Sequence, residues 1–210
     1  MTMKIITISR EFGSGGRELG KRLADELDFD YYDKEIITAI AQRQGLNEGY
    51  VEKTLDNRVW QSVPLTFRRS FSSAAILQST QTNLLLEQKH VIENIAKAKR
   101  DCVIVGRNAD VILKNEQPFH IFVCADMEAK IQRCIERASA DERLSKKEII
   151  QNIRRIDKNR ANTRELITNS KWGELGSYHL VVNTTDWNMK ELTLAIADFV
   201  KRWYGKGEKK

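Results

Sequence analysis

The sequence predicts a three-layer α/β fold built on a parallel sheet. Three observations carry that reading. Four apolar, β-branched runs, "KIITIS", "CVIVG", "HIFVCA" and "YHLVVN", are nearly continuous rather than alternating, as strands buried on both faces are. Between them lie stretches with the 3.6-residue period of amphipathic helices. Strand and helix alternate along most of the 210 residues, the order that covers a sheet with helices on both faces. No internal repeat or low-complexity tract interrupts the alternation.

The first strand covers residues 4–9. A glycine turn follows, then "GRELGKRLADEL", which places Leu19, Leu23 and Leu27 on one helical face. "FDYYD", residues 29–33, is a short strand candidate, and Asp33 is a favoured N-cap residue for the helix "KEIITAIAQ". Residues 50–85 depart from the pattern. "NRVWQSVPLTFRRSFSS" has neither period, holds Pro64 and an arginine pair, and reads as an insertion, either a mobile substrate subdomain or a surface excursion. "TNLLLEQKHVIENIAKA" is amphipathic and precedes the strand at 102–106. "HIFVCA", residues 120–125, leads into "MEAKIQRCIER", with Ile131 and Ile135 on one side. "SKKEIIQNIRRIDKNR" opens with Ser145 and Glu148 at capping-box spacing. The last strand covers 178–183, and "NMKELTLAIADFVKRWY" closes the fold with Leu192, Ile196, Phe199 and Val200. The expected organisation is one domain over 1–205, with core segments 1–49 and 86–205, the insertion at 50–85 and a flexible tail at 206–210.

Composition narrows the function classes. The hydrophobic share of 41% is ordinary for a globular chain. No apolar run approaches the ~20 residues of a membrane span, and "MTMKIITISR" holds too short an apolar stretch for a secretory signal. A soluble cytoplasmic protein is expected. Cys102, Cys124 and Cys134 lack CxxC or metal spacing and read as packing residues. His90, His120 and His179 form no sequence cluster, so no imidazole metal site is expected. The net charge of +6 suits an anionic partner. Nucleic acid is a weak candidate. Trp60, Phe67 and Phe71 neighbour Arg68 and Arg69, but no RNP, helix-turn-helix or zinc-finger pattern accompanies them.

"ISREFGSGGRELG", residues 8–20, is the most informative stretch. Strand, glycines and helix stand in the order of a phosphate-binding loop, in which backbone N–H groups and the helix N-terminus face phosphate oxygens. Gly13, Ser14, Gly15 and Gly16 meet the backbone half of that requirement. The side-chain half departs from it. Laid on G-x-x-x-x-G-K-[ST] with Gly15 as the final glycine, the opening glycine falls on Arg10, the lysine on Gly16 and the hydroxyl residue on Arg17. A dinucleotide GxGxxG starting at Gly13 would put its third glycine on Glu18. Arg10, Arg17 and Lys21 surround the turn, and a guanidinium supplies the charge and fork geometry a phosphate needs. The alternative is a tight strand-to-helix turn with exposed basic residues.

"ITISREFGSGGRELGKRLADELDFDYYDKEII" resembles the N-terminus of the cytidylate kinase-like family, a divergent branch beside bacterial cytidylate kinases within the P-loop kinases. "DCVIVGRNADVIL" is similar to the family's Gly-Arg strand end, "HIFVCADMEAKIQRCIER" to the strand and helix after it, and "RRIDKNRANTRELITNSKWGELGSYHLVVNTT" to the lid, R-x-D-x-x-R, and final strand. The resemblance runs from Lys4 to about Phe199 and is weakest over 50–85.

The resemblance implies a P-loop NTPase-like sheet with an acceptor-side insertion and a helical lid over about 139–172. It implies ATP and Mg²⁺ as cofactors, nucleotide substrates and transfer to a nucleoside monophosphate, CMP or dCMP first. Gly13, Ser14, Gly15, Gly16 and Arg17 would cradle the donor phosphates, with Arg17 or Lys21 in place of the missing lysine. Ser14 is a candidate for the missing Mg²⁺ hydroxyl. Asp33 would contact the acceptor nucleoside. Ala39 and Ile40 stand where ordinary cytidylate kinases carry an arginine, so Arg43, Arg68 or Arg69 would compensate. Arg107 would bind acceptor phosphate, with Asp110 beside it; a mere Arg107–Asp110 ion pair is the alternative. Arg155 and Arg160 would close on the transferring phosphoryl with Asp157 orienting them. A solvated charge ladder along that helix is the alternative there. The departures at the loop also keep open a nucleotide-binding sensor or interaction protein without transfer.

Overall fold

A computed structural model of the chain describes residues 3–56, 71–138 and 144–205. Five parallel strands form one sheet in the order β2-β3-β1-β4-β5. They are β1 Ile5–Arg10, β2 Asp30–Tyr32, β3 Cys102–Val105, β4 Phe119–Cys124 and β5 Leu180–Asn183. The helices between them are α1 Gly16–Leu27, α2 Lys34–Gln44, α3 Glu48–Asp56, α4 Phe71–Lys97, α5 Ala109–Ile112, α6 Met127–Arg137, α7 Lys146–Ile167 and α8 Met189–Gly205. This is the predicted three-layer α/β architecture.

The two-residue side-chain alternation of strands sends β1 into both layers. Ile6 and Ile8 pack with Val103, Val105, Ile121 and Val123 under α1 and α8. Ile5 joins Cys102 and Ile104 under α2, α3 and α4. β1 lies between β3 and β4, so the strand order reverses there. The crevice beyond the carboxyl end of a strand at such a point is where open α/β sheets bind ligands.

The region expected to be irregular is helical where it is described. α3 buries Val51 and Leu55, and α4 buries Leu84, Val91 and Ile92, all in the core under α2. The sequence hid α3 because nine residues offer only one i,i+4 apolar pair. It hid the start of α4 because "SSAAILQSTQTN" is rich in residues that favour caps and turns in isolation. Trp60, Pro64, Phe67, Arg68, Arg69, positions 139–143 of the expected lid and the tail 206–210 lie outside the described residues.

The histidines differ from the expectation. His120 and His179 stack with ring centroids 5.0 Å apart, and the His120 amide donates to His179 Nδ1 at 3.0 Å. Burial pushes His120 down to about 4, so the pair is a neutral packing element. No group of three metal-ligating side chains occurs among the described residues, and none of their helices is long and apolar enough to cross a membrane.

The capping box forms as the spacing predicts. Ser145 Oγ accepts from the Glu148 amide, and Glu148 Oε2 accepts from the Ser145 amide at 2.8 Å. Ser145→Ala should lower Tm by about 2–4 °C in a thermal melt, the usual effect of losing a serine cap in a chain of this size. An unchanged Tm would show that the first turn of α7 is held by its packing alone.

Candidate active site

The loop after β1 is fixed from below by its own polar groups. The Glu11 amide donates to the Val123 carbonyl at 2.9 Å. The Glu11 carboxylate accepts from buried Lys130 Nζ at 2.9 Å and from the Ala125 amide at 3.3 Å. Ser14 is fully buried. Its hydroxyl donates to the Glu11 carbonyl at 2.9 Å, and its carbonyl accepts from Thr184 Oγ1 at 2.6 Å. Gly13 and Gly15 hold φ of 76° and 80°, in the left-handed region open to glycine. Gly15 stands before α1 with no side-chain cap. The first amides of α1 therefore have no partner in their own helix, which is the backbone half of an anion site.

Arg10 supplies an unexpected part of the geometry. Its side chain leaves the end of β1 and crosses two glycines. A Cβ on Gly16 would lie 2.6 Å from Arg10 Cβ and 3.1 Å from its Cγ. A Cβ on Gly106 would lie 1.6 Å from Arg10 Nη1 and 2.7 Å from its Cζ. The guanidinium thus reaches the end of β3 with Nη1 foremost, against Gly106. Asp33 faces it, with Oδ1 3.5 Å from Arg10 Nη2 and Oδ2 2.5 Å from Arg17 Nε. Asp33 does occupy the N-cap position of α2, but its side chain makes no cap bond; the Asp33 amide is bound instead by Glu35 Oε2 at 2.9 Å.

The turn after β3 completes this wall. Gly106, Arg107 and Asn108 adopt φ of 76°, 57° and 53° in succession. Left-handed backbone at two non-glycine residues costs energy and persists only where the surroundings enforce it. Here the Gly106 amide donates to the Ile8 carbonyl at 2.8 Å, and Gln88 Nε2 donates to the Arg107 carbonyl at 3.0 Å. Arg107 Nη2 lies 3.8 Å from Glu52 Oε1 of α3. The alternative Arg107–Asp110 pair does not form. Asp110 is buried against Arg164 of α7, Nη1 to Oδ2 2.5 Å.

α7 closes the site from above. Asp157 Oδ1 accepts from the Phe12 amide at 2.7 Å and from Arg160 Nη1 at 3.3 Å. Arg160 Nη1 also donates to the Arg10 carbonyl at 2.9 Å. Burial is the main cause that pushes Asp157 up to about 6, against the pull of the Phe12 amide and Arg160. The stretch read alternatively as a solvated ladder therefore touches the glycine loop.

These elements enclose a cavity of about 490 Å³. Its wall includes Arg10, Arg17, Lys53, Arg107, Arg155 and Arg160, with Glu52 as the carboxylate. Arg10 is perturbed by burial first and by neighbouring charges second. Burial first, then Arg160, Arg107 and Arg17, press its guanidinium down to about 9, and Asp33 opposes them.

Some expected site residues stand apart. Lys21 pairs with Asp25 at 2.7 Å on the exposed side of α1 and lies 5.7 Å from the Tyr31 ring centroid. Arg43 pairs with Glu87 at 2.5 Å. Glu52, Lys53 and Gln88 were not among the expected site residues, and Arg10 was expected beside the turn without a role of its own. Arg10 had a signal, its place at the motif's opening glycine; the others sit on helices whose approach depends on packing. The described residues around the loop do not fit a protein-built Mg²⁺ site, since Arg17 holds the motif's hydroxyl place, Ser14 is buried and Asp33 lies between two guanidiniums.

The model of the cytidylate kinase-like family matches residues 5–186. Among solved structures, an uncharacterized protein from Eubacterium ventriosum is 24% identical, with 95% of this chain and 99% of that one covered at a TM-score of 0.69. A shikimate kinase from Bacteroides thetaiotaomicron is 14% identical, with 95% and 99% covered at 0.55. A sugar kinase from a Janibacter species is 11% identical, with 95% of each chain covered at 0.51. At these identities the likeness is one of fold. No curated protein sequence is significantly similar to the chain.

Proposed function

The chain belongs to the cytidylate kinase-like family, and from that premise we propose that it transfers the γ-phosphoryl group of ATP to a nucleoside monophosphate, with CMP or dCMP as acceptor. The observation that carries the reading is the arginine-lined cavity beside the glycine loop. Phosphoryl transfer asks the protein for positioning and charge neutralisation more than for covalent chemistry. An acceptor phosphate oxygen attacks the γ-phosphorus, the bond to the bridging β-phosphate oxygen breaks, and ADP leaves.

The chain's own residues divide that work. The amides around Gly13, Gly15 and Gly16 cradle the donor phosphates. Buried Ser14 holds the loop's shape. Arg17 and Asp33 line the acceptor side, and Arg107 binds the acceptor's phosphate. Arg155 and Arg160 neutralise charge on the group in transit and exclude water as α7 closes, and Asp157 orients Arg160. Asp110 acts through Arg164, by holding α7 to the turn that carries Arg107. Lys21 reaches the donor only by leaving Asp25. Mg²⁺, which the family implies, would arrive with the donor nucleotide rather than on a site built by the protein, and would neutralise part of the donor's phosphate charge.

A second reading, a nucleotide-binding sensor or interaction protein without transfer, is favoured by one observation: a cation, Arg17, stands where the motif's metal-binding hydroxyl belongs. ADP release from ATP and Mg²⁺ in the presence of CMP, dCMP, UMP, AMP or GMP separates the two. CMP or dCMP should stimulate turnover, and Arg107→Ala should lower kcat/KM by about 10²–10³-fold, the range for losing one charge-stabilising donor. ATP binding with no acceptor-stimulated release would leave the second reading standing.

A further inference from the structure

We propose that Arg10 takes the place of the missing loop lysine, its guanidinium binding the anionic phosphoryl group from the start of the loop rather than from its end. The inference rests on the phosphotransferase reading and names a binding residue for it.

The motif's register is the first support. Against G-x-x-x-x-G-K-[ST], the loop has a cation where the opening glycine belongs and a glycine where the lysine belongs. Loss and gain fall at the two ends of one loop. Space links them. The first atom of any side chain at Gly16 would lie 2.6 Å from Arg10 Cβ, closer than side-chain carbons pack. The stem of Arg10 fills the path that a lysine at position 16 would start along, so the two side chains compete for one space.

The second glycine points the same way from another element. Gly106, at the end of β3, leaves room for the Arg10 guanidinium itself, which a Cβ there would meet at 1.6 Å. The Arg10 side chain is only 12% exposed, and it lines the cavity together with Arg17, Arg107 and Arg160. Asp33 is the carboxylate paired with it, at 3.5 Å, and the same carboxylate is held more closely by Arg17 at 2.5 Å. A mostly buried cation among like charges is matched by a polyanion entering the cavity. The expected stand-ins are less suited: Arg17 is half exposed and bound to Asp33, and Lys21 is bound to Asp25 in solvent.

The test is an exchange of the two positions, read by calorimetric binding of inorganic tripolyphosphate and by acceptor-stimulated ADP release. Arg10→Met keeps the stem and removes the charge. It should weaken tripolyphosphate binding at least about tenfold, the effect of one lost charge-assisted contact. Arg10→Gly and Gly16→Lys should each weaken it as well, the second because the Arg10 stem blocks the new side chain. The double variant Arg10→Gly/Gly16→Lys restores the ordinary motif and should regain most of the affinity. A variant Arg10→Met that melts cooperatively and binds tripolyphosphate as tightly as wild type overturns the proposal, as does a folded double variant that binds no better than Arg10→Gly. The two readings fail separately. If Arg10→Met loses tripolyphosphate binding while no monophosphate stimulates ADP release in wild type, the anion site stands and the kinase reading falls. If wild type turns over and Arg10→Met matches it in binding and rate, the Arg10 assignment alone falls.

Discussion

Replacing Asp33 with alanine should lower Tm by roughly 6–20 °C, from about 3–5 kcal/mol for removing one partner of a buried ionic cluster. The Asp33 side chain is 5% exposed and lies between Arg10 and Arg17. Without it, Arg10 keeps only Arg160, Arg107 and Arg17 as charged neighbours among those that perturb it. The variant should then respond to anions more than wild type does. A ligand present at 100 times its dissociation constant stabilises by about 2.7 kcal/mol, so tripolyphosphate should return several degrees. Asp33→Asn keeps the side chain's size and removes its charge, so it separates the ionic contribution from packing. Melts of the three proteins with and without tripolyphosphate make the measurement. A Tm within about 2 °C of wild type for Asp33→Ala would mean that the arginines are neutralised by solvent, against the burial described.

A comparable loss is expected from Asp110→Ala, again about 3–5 kcal/mol. Both members of the Arg164–Asp110 pair are buried, at 3% and 5% side-chain exposure. Arg164 Nε also donates to Ser170 Oγ at 3.1 Å, and its guanidinium lies 5.7 Å from the Tyr178 ring centroid. Removing the carboxylate leaves that guanidinium buried without its counter-charge. The double variant Asp110→Leu/Arg164→Met removes both charges and should be far closer to wild type than the two single losses together. Denaturant titration of the cycle measures the coupling. Additive losses would show that the two side chains are held independently. Because α7 carries Arg155 and Arg160, the single variants should also lose turnover, whereas the double variant should keep it if the helix stays docked.

The sequence displays what is local. Four of the five strands were legible as continuous apolar, β-branched runs, β2 was visible only as the short candidate "FDYYD", and "MEAKIQRCIER" coincides with α6 from Met127 to Arg137. The capping box at Ser145 was legible because both partners lie within one turn. The strand order was not, since periodicity says which face is buried and nothing about which strand is a neighbour. The same limit applies to the site. Arg107 and the glycines were legible from their place after a buried strand. That Asp110 belongs to Arg164, 54 residues away, or that Lys53 reaches the cavity, depends on helix docking. Arg10 is the intermediate case: its position in the motif was visible, but that its stem crosses Gly16 required the fold.

The central claim is that the arginine-lined cavity moves a phosphoryl group between two bound partners. Phosphorus NMR of ATP, Mg²⁺ and CMP with the wild-type chain tests it most directly. The γ-phosphorus resonance of ATP should decline as the resonances of ADP and of a cytidine diphosphate grow together in equal amounts. Growth of inorganic phosphate alone, or an unchanged ATP spectrum with CMP, dCMP and the other monophosphates while ATP is demonstrably bound, would contradict it.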